Sequence, residues 1–394
     1  MTLSSPAIQG ELAHTVGELA ERFAATAVER DAVGGTPKAE RDLLRESGLL
    51  ALSIPREFGG LGATWTEILD SVRSFARVDS AIAHVYGFQH LLLATLRLFG
   101  RPAQWQPLFE RTARENWFWG NALNPLDPRA SAEDQGEYWR FNGSKRFCSG
   151  SVDAEMLVVS GRQGEHGKLL IAAIPSQREG VRIGDDWDAI GQRQSDSGTV
   201  TFDNVRVEWS ELLLDPGPLS TPYASLRPLL AQLIFVQIFL GIAEGAFDEA
   251  RELTLTETRP WFRSGAARAA EDPHVIARYG ELWLGLESVR ALAARATQRF
   301  DEAWFVGDAL DERKRGEVAL AIAAAKVAAT RVGLDVCTGI FDVAGARATR
   351  GALRLDRYWR NLRTQTLHDP VDYKVQELGA WALHRSAPEP SFYS

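Results

Sequence analysis

The spacing of apolar residues changes twice along this chain of 394 residues, and these two changes constrain its fold most. Up to about residue 116, apolar residues recur every three or four positions, the period of a helix with one buried face. The Pro/Gly-rich segment 53–63 interrupts this pattern and predicts a turn. Ser80, which follows Asp79, is a predicted helix N-cap. The predicted helices of this region are 11–30, 38–49, 65–78, 80–99 and 105–115.

From about Trp117 the pattern alternates between apolar and polar residues, which is the period of a half-buried strand. Segment 138–150 alternates around the pair Asn142-Gly143, which predicts a hairpin turn. Short apolar runs with turn residues between them continue to Leu214, and we interpret the region as a compact antiparallel β domain. The other predicted strand segments are 156–162, 169–175, 181–187, 199–207 and 211–214.

The helical period returns near residue 220 and continues through most of the remaining chain. Its apolar stretch 228–243 contains Gln232 and Gln237 and is short for a membrane span of ~20 residues, so it predicts a buried core helix. Long helices joined by short loops predict a bundle. The predicted helices are 227–256, 274–301, 311–340 and 369–384.

These changes predict an α+β protein of three domains. We expect an N-terminal α-helical domain at 1–116, a central β domain at 117–214 and a C-terminal helical bundle at 215–394.

Charge and cysteine content argue against several classes of protein. Lys and Arg total 44 and Asp and Glu total 52, so the formal charge of −8 disfavours a nucleic-acid partner. Two cysteines, Cys148 and Cys337, are too few to staple a secreted fold and predict reduced thiols in the cytoplasm. The histidines and cysteines lack metal-ligand spacing, so we expect no metal site. The chain also lacks the G-x-S-x-G elbow of a serine hydrolase.

Four segments, in the same order along the chain, resemble motifs of the acyl-CoA dehydrogenase superfamily. Within that superfamily the chain most resembles the flavin-dependent monooxygenases that oxidise dibenzothiophene, alkanesulfinates and sulfones. The resemblance implies an acyl-CoA dehydrogenase-like fold, with a helical domain, a β-barrel-like domain and a four-helix bundle. The four segments are IPREFGGLG at 54–62, NGSKRFCSG at 142–150, AIGQRQSDSGTVTFDNVRV at 189–207 and RYWRNLRTQTLHDP at 357–370.

The resemblance also implies cofactors and partners. It implies a homotetramer that receives reduced FMN from a separate NAD(P)H-dependent flavin reductase, uses O2 as co-substrate and forms a flavin C4a-hydroperoxide. An acyl-CoA dehydrogenase is the less favoured alternative, because GNALNPLDPRA and TLHDPV stand where its Gly-Ser-Asp motif and its general-base glutamate are expected. An N-hydroxylating flavin enzyme and a non-catalytic bundle remain open. No membrane partner is expected.

The resemblance assigns four residues to the peroxide: His84, Asn121, Ser149 and His368. They would hold and protonate it, and histidine suits this role because it titrates near neutral pH. The alternatives are structural histidines, a capping asparagine and a turn serine.

Further residues resemble those that hold the flavin. Phe147, Cys148 and Ser149 would line one flavin edge, although Cys148 is equally well explained as a small packing residue. Arginine suits phosphate recognition. Arg259 and Arg347 resemble residues that reach the phosphate of a neighbouring subunit's FMN. Trp187 would wall the ring system, with a core tryptophan as the alternative. The remaining cofactor position is Gln365.

Substrate choice rests on positions that differ from the dibenzothiophene enzymes. Those relatives carry a tyrosine in place of Phe88 and a second histidine in place of Gln365. Arg146 and Arg263 are additional cations that would suit a small anion, unless both face solvent. The sequence therefore favours methanesulfinate, oxidised to methanesulfonate, over dibenzothiophene or dimethyl sulfone.

Overall fold

A computed structural model describes residues 6–164 and 167–394 of the chain. The N-terminal region is helical, as its period predicts. Helix 80–99 begins where expected, but its N-cap is Asp79 rather than Ser80, because the Asp79 carboxylate accepts hydrogen bonds from the Ala81 and Ile82 amides. The helices of this region are α1 (Pro6–Val33), α2 (Lys38–Glu46), α3 (Trp65–Ala76), α4 (Ser80–Phe99) and α5 (Pro102–Glu115).

The middle of the chain forms a curled seven-stranded sheet within the described residues. Its strands are β1 (Trp119–Ala122), β2 (Ala130–Asp134), β3 (Tyr138–Lys145), β4 (Met156–Arg162), β5 (Leu169–Pro175), β6 (Val181–Ile183) and β7 (Val200–Glu208).

The sheet is mixed, which corrects the antiparallel expectation. Strand β4 pairs along one edge with β5, antiparallel, and along the other with β1 and β2, both parallel. The burial pattern of β4 does not distinguish parallel from antiparallel pairing, because this strand is covered on both faces. Leu157 and Val159 face the core of the sheet, whereas Met156 and Val158 face the helices. The predicted strand at 211–214 is reduced to one bridge, between Leu212 and Ala172.

The predicted hairpin at Asn142-Gly143 is also wrong, because strand β3 runs straight through the pair. Its pairing with β7 shifts between Phe141 and Gly143, where the strand bulges. Gly143 has φ +108°, and a side chain there would collide with the Arg129 carbonyl oxygen. The Asn142-Gly143 pair therefore forms a β-bulge within the strand rather than a hairpin turn.

The C-terminal helices form a bundle around a helix that is buried without interruption from Leu226 to Ala246. This helix, Leu226–Thr256, contains the apolar stretch 228–243, and its most apolar window is entirely buried within the protein. The expectation of a core helix is confirmed. The period did not predict the short helix that precedes the last one. The helices are α6 (Leu226–Thr256), α7 (Pro273–Val306), α8 (Glu312–Ala344), α9 (Asp356–Thr366) and α10 (Val371–His384).

Candidate active site

A cleft of about 880 Å³ opens between α4, the turn after β3, and helices α6 and α9. Its size lies in the range of cofactor and substrate sites. Phe88, Leu91 and Phe235 supply much of its apolar wall. Nine residues predicted for the site line this cleft: His84, Phe88, Asn121, Arg146, Phe147, Ser149, Trp187, Gln365 and His368.

Helix α4 brings His84 to the cleft, where a chain of hydrogen bonds begins. The Gln365 amide nitrogen donates to His84 Nδ1 at 2.9 Å, so the ring proton is assigned to Nε2. His84 Nε2 then donates to Ser149 Oγ at 2.9 Å. Burial, and to a lesser extent the charge of His368, lowers the pKa of His84 to about 3, so the ring stays neutral and donates.

Two serines extend this chain along the β domain. Ser149 Oγ lies 2.8 Å from Ser197 Oγ, which lies 2.7 Å from Ser195 Oγ. At the other end, Gln365 is 5% exposed, and its Oε1 has no hydrogen-bond partner among the described residues. A buried amide oxygen without a donor is costly, so a ligand N–H or O–H would stabilise it.

Three backbone hydrogen bonds fix the position of the turn that carries Ser149. The Cys148 amide donates to the Gly198 carbonyl, the Asn121 amide to the Ser149 carbonyl, and the Gly150 amide to the Ser195 carbonyl, each at 3.0 Å. Phe147 has φ +60°, an unfavourable conformation for a non-glycine residue that often marks functional sites. These bonds hold Ser149 against α4.

A buried arginine of the N-terminal region, Arg41, contacts both segments that carry the serines, at Gly150 and at Asp196. Arg41, in α2, donates to Asp196 Oδ2 at 2.9 Å and to the Gly150 carbonyl at 3.1 Å. The side chains of Arg41 and Asp196 are 0% and 2% exposed. This pair therefore locks the positions of Ser149 and Ser197 relative to each other.

His368 faces the cleft from the loop after α9. Its Nδ1 lies 2.8 Å from Asp369 Oδ1, which also accepts from Lys326 Nζ at 3.3 Å and from Gln232 at 3.2 Å. Burial raises the pKa of Asp369, but these partners outweigh burial and hold that pKa well below its usual range. Asp369 is therefore a carboxylate, and it accepts a hydrogen bond from the His368 Nδ1–H group.

The second nitrogen of His368 is left for a ligand. Its Nε2 makes no hydrogen bond to the described residues, and the side chain is 37% exposed. Burial lowers the pKa of His368, while the Asp369 carboxylate opposes that change. His368 can thus hold or release a proton at Nε2 on the cleft wall.

Aromatic and amide groups complete the other wall. The rings of Phe147 and Trp187 meet edge to face at 6.0 Å, and Phe147 is 60% exposed. Asn121 Oδ1 accepts from the Leu123 amide at 3.3 Å, which leaves the Asn121 NH2 group available to the cleft. This wall suits a planar ligand with a polar edge.

Four predicted residues do not line the cleft. Cys148 is buried in the core of the sheet, and burial raises the pKa of its thiol to about 12. Arg259, Arg263 and Arg347 are exposed near the C-terminal end of α6, where Arg347 donates to the Glu257 carbonyl at 3.0 Å. From Phe235, on the cleft wall, to Glu257 the chain rises by roughly 33 Å along the helix axis. These arginines can serve such a cleft only from a second copy of the chain.

Sequence reasoning missed several residues of the site. Lys326 carries no local signal. Asp369 lies in the family-like segment 357–370, but its role depends on a contact between α8 and the loop after α9. Ser197 lies within the family-like segment 189–207, but the segment alone does not show that its hydroxyl reaches Ser149. Arg227 had a signal: it is the charge immediately before the apolar stretch 228–243.

Three family models match the chain: "Acyl-CoA dehydrogenase, N-terminal domain" at 7–116, "middle domain" at 120–205 and "C-terminal domain" at 233–373. "Probable FMNH2-dependent monooxygenase SfnC" of Pseudomonas putida is 64% identical over 96% of each chain. "Dibenzothiophene monooxygenase" of Mycolicibacterium goodii is 42% identical and covers 98% of this chain and 96% of its own.

Solved structures agree with these matches. Methanesulfinate monooxygenase MsuC from Pseudomonas fluorescens has a TM-score of 0.96 at 62% identity and covers all of both chains. FMN-bound TdsC from Paenibacillus sp. A11-2 has a TM-score of 0.93 at 39% identity and covers 98% of this chain and all of its own. A nitrososynthase from Micromonospora carbonacea, at 22% identity and TM-score 0.83, shares the fold.

Proposed function

Because this chain belongs to the acyl-CoA dehydrogenase family and is one of its FMNH2-dependent monooxygenases, we propose that it oxidises a small organosulfur anion. The favoured reaction converts methanesulfinate, FMNH2 and O2 to methanesulfonate, FMN and water. One oxygen atom forms a bond to sulfur, and the other leaves as water with the two hydrogens of FMNH2.

The residues of the cleft fit FMN. Reduced FMN, when bound, supplies the two electrons and activates O2. Trp187 and Phe147 would hold the ring system from the β domain, while Ser149 and the free Gln365 oxygen would bond to its polar edge. His368 would hold or deliver a proton at Nε2.

The apolar wall opposite the β domain would keep water from the reacting groups. The rings of Phe88 and Phe235 lie 5.7 Å apart, and Phe88 stacks on His84 at 4.2 Å. Exclusion of water favours oxygen transfer to substrate over wasteful release of hydrogen peroxide.

The observation that carries this proposal is the hydrogen-bonded chain from Gln365 through His84 to Ser149 and Ser197 within a flavin-sized cleft. The substrate rests on the 62% identity to methanesulfinate monooxygenase over the whole chain. The family's two-component enzymes imply a flavin reductase as partner. We further propose a homotetramer in the cytoplasm.

The proposal is tested with the purified protein, NADH, FMN, a flavin reductase and ¹⁸O2. Methanesulfinate, dimethyl sulfone and dibenzothiophene are offered separately, and products are read by mass spectrometry. We expect methanesulfonate that carries one ¹⁸O atom. Efficient turnover of dibenzothiophene without turnover of methanesulfinate would refute the substrate and leave the oxygenase class intact. Anaerobic bleaching of bound flavin by an acyl-CoA would instead support a dehydrogenase.

A further inference from the structure

Arg227 is a buried cation on the cleft wall, and none of the described residues gives it an anionic partner. It is the second residue of α6 and is 6% exposed. Its Nε donates to Thr95 Oγ1 at 3.2 Å. Across residues 6–164 and 167–394, no carboxylate oxygen lies within 4.0 Å of its guanidinium, and its two terminal nitrogens form no hydrogen bonds. They are therefore free to bind a ligand.

The surrounding charges do not neutralise Arg227. Lys326 is paired with Asp369, and that carboxylate also accepts from His368, so these three groups balance one another. Arg146 and Arg363 add positive charge to the cleft, and exposed Asp186 and Asp188 lie on the β-domain side. The inner part of the cleft near Arg227 thus carries an excess positive charge.

The position of Arg227 is costly for the protein alone. A buried charge without a partner is unfavourable, and a cation in the first turn of α6 also opposes the positive end of the helix dipole. The pKa of Arg227 falls only to about 10 on burial, so the group stays charged at neutral pH. A side chain with these costs points to a ligand that compensates them.

We propose that Arg227 binds the two oxygens of the substrate's sulfinate group and sets the preference for anionic substrates, an inference that rests on the proposed function. The forked guanidinium donors match two oxygens on one centre. This binding leaves the sulfur lone pair, where the new bond forms, free to face the flavin. Phe235, whose ring lies 4.6 Å from that of His368, would contact the substrate beside both groups.

A second oxyanion, the phosphate of FMN, has the same chemistry. The Arg227 side chain lines the cleft with Phe235 and Tyr393, and the Tyr393 ring lies 5.6 Å from that of His368. The charge of Arg227 acts on the pKa values of both His368 and Tyr393, so Arg227 lies near the group that would handle the proton. This position favours the substrate over a phosphate. The two oxyanions are separated by measuring the affinity for each.

The test uses Arg227→Gln and Arg227→Lys, assayed with the reductase and saturating FMN. A charge-assisted hydrogen bond is worth ~1.5–3 kcal/mol, so we expect Arg227→Gln to raise the KM for methanesulfinate roughly 10- to 150-fold. Its Kd for reduced FMN should remain within about twofold. Arg227→Lys should recover part of the loss. Arg22→Gln, which removes an exposed charge from α1, is the matched control and should leave the KM unchanged.

Stability separates a binding role from a structural one. Removal of an uncompensated buried charge should leave the melting temperature of the ligand-free Arg227→Gln protein unchanged or raise it. An unchanged KM for methanesulfinate in a folded variant would overturn the inference. An increase in the FMN Kd as large as that in the KM would also overturn it, because Arg227 would then bind phosphate.

Failure of the proposed substrate has a different signature. If the wild-type protein does not oxidise methanesulfinate, the FMN-loaded wild type and Arg227→Gln are titrated with methanesulfonate in a calorimeter. Binding that requires Arg227 supports the oxyanion site although the proposed reaction is wrong. Equal binding by both proteins, or none, overturns the site itself.

Discussion

At the scale of the residue, two histidines of the cleft differ because their surroundings differ. His84 is buried and receives a hydrogen bond from Gln365, so it stays neutral with its proton on Nε2. His368 donates to a carboxylate and keeps Nε2 free in the cleft. A histidine backed by a carboxylate can hold or deliver a proton, and a neutral buried histidine positions a hydroxyl.

The first prediction concerns His368→Ala. The variant should bind reduced FMN normally but lose product formation by ~10²–10⁴-fold, the usual scale for a general acid or base. Reduced flavin should be oxidised with release of hydrogen peroxide, measured against methanesulfonate in the same assay.

The matched control for this prediction is His384→Ala, since His384 is exposed at the end of α10. That variant should couple flavin oxidation to product as the wild type does. Equal coupling in His368→Ala and His384→Ala would show that His368 is structural.

The second prediction concerns His90, which is fully buried in α4. Its Nδ1 lies 2.9 Å from Ser53 Oγ, and burial lowers its pKa from 6.5 to about 3. Between pH 6.5 and about 3, His90 therefore binds a proton in the unfolded chain but not in the folded chain. Stability from this group is complete above pH 6.5 and is lost as the pH falls towards 3, by about 1.4 kcal/mol per pH unit.

His90→Gln should reduce this dependence. The drop in melting temperature between pH 7 and pH 5 should be smaller in the variant than in the wild type, by the equivalent of about 2 kcal/mol. Burial also lowers the pKa of His84, so part of the drop in melting temperature should remain in the His90→Gln variant. An identical drop in both proteins would contradict the lowered pKa of His90.

At the scale of the element, α4 is the support of the site. Nearly all of its residues from Ser80 to Phe99 are buried, so neighbours fix its rotation as well as its position. His84 and Phe88 lie one turn apart and reach the cleft together. Asp79 sets where the helix begins, and its other carboxylate oxygen pairs with Arg30 of α1.

The third prediction concerns this cap. Asp79→Ala removes the cap and the ion pair, and should lower the free energy of unfolding by about 2 kcal/mol or more. Asp79→Asn keeps a good N-cap and loses only the charge, so its loss should be smaller. Urea unfolding of both variants measures the difference. Equal losses would show that the Arg30 pair, and not the cap, supports α4.

At the scale of the whole molecule, the cleft and the predicted phosphate ligands lie towards opposite ends of α6. Arg259 and Arg347 are exposed beside its C-terminal end, while Arg227 and Phe235 stand near its N-terminal end. The cleft and the two arginines of one copy of the chain therefore cannot contact the same flavin. An oligomer in which the far end of one α6 meets the cleft of a neighbour would do so.

The fourth prediction follows from this arrangement. Arg347→Ala should raise the Kd for reduced FMN by about tenfold or more, because a charged hydrogen bond to phosphate is lost. Arg350→Ala is the control, since Arg350 is an exposed neighbour that pairs with Glu257 at 2.7 Å. Light scattering should show a tetramer, and reduced FAD should bind more weakly than reduced FMN. A monomer that binds FMN fully would refute this role.

Much of the site was visible in local motifs. The segment 142–150 pointed to Ser149, and 357–370 pointed to His368, since both follow family patterns. The hydrophobic period located the long helices to within a few residues. The turn prediction from Asn142-Gly143 failed, because the same two residues suit either a turn or a bulge and the partner strand decides which one forms.

The sequence by itself determined the order of helical and β regions, the buried core helix and the family, because period and motif are local properties. The tertiary structure decided which of these residues meet. Gln365, His84 and Ser149 come from three separate elements, and their hydrogen bonds depend on how those elements pack. Arg227 shows the same limit: the sequence places a charge before an apolar stretch, but only the fold shows that no carboxylate of the described residues pairs with it. A periodic pattern shows which face of an element is buried and carries no information on what covers it.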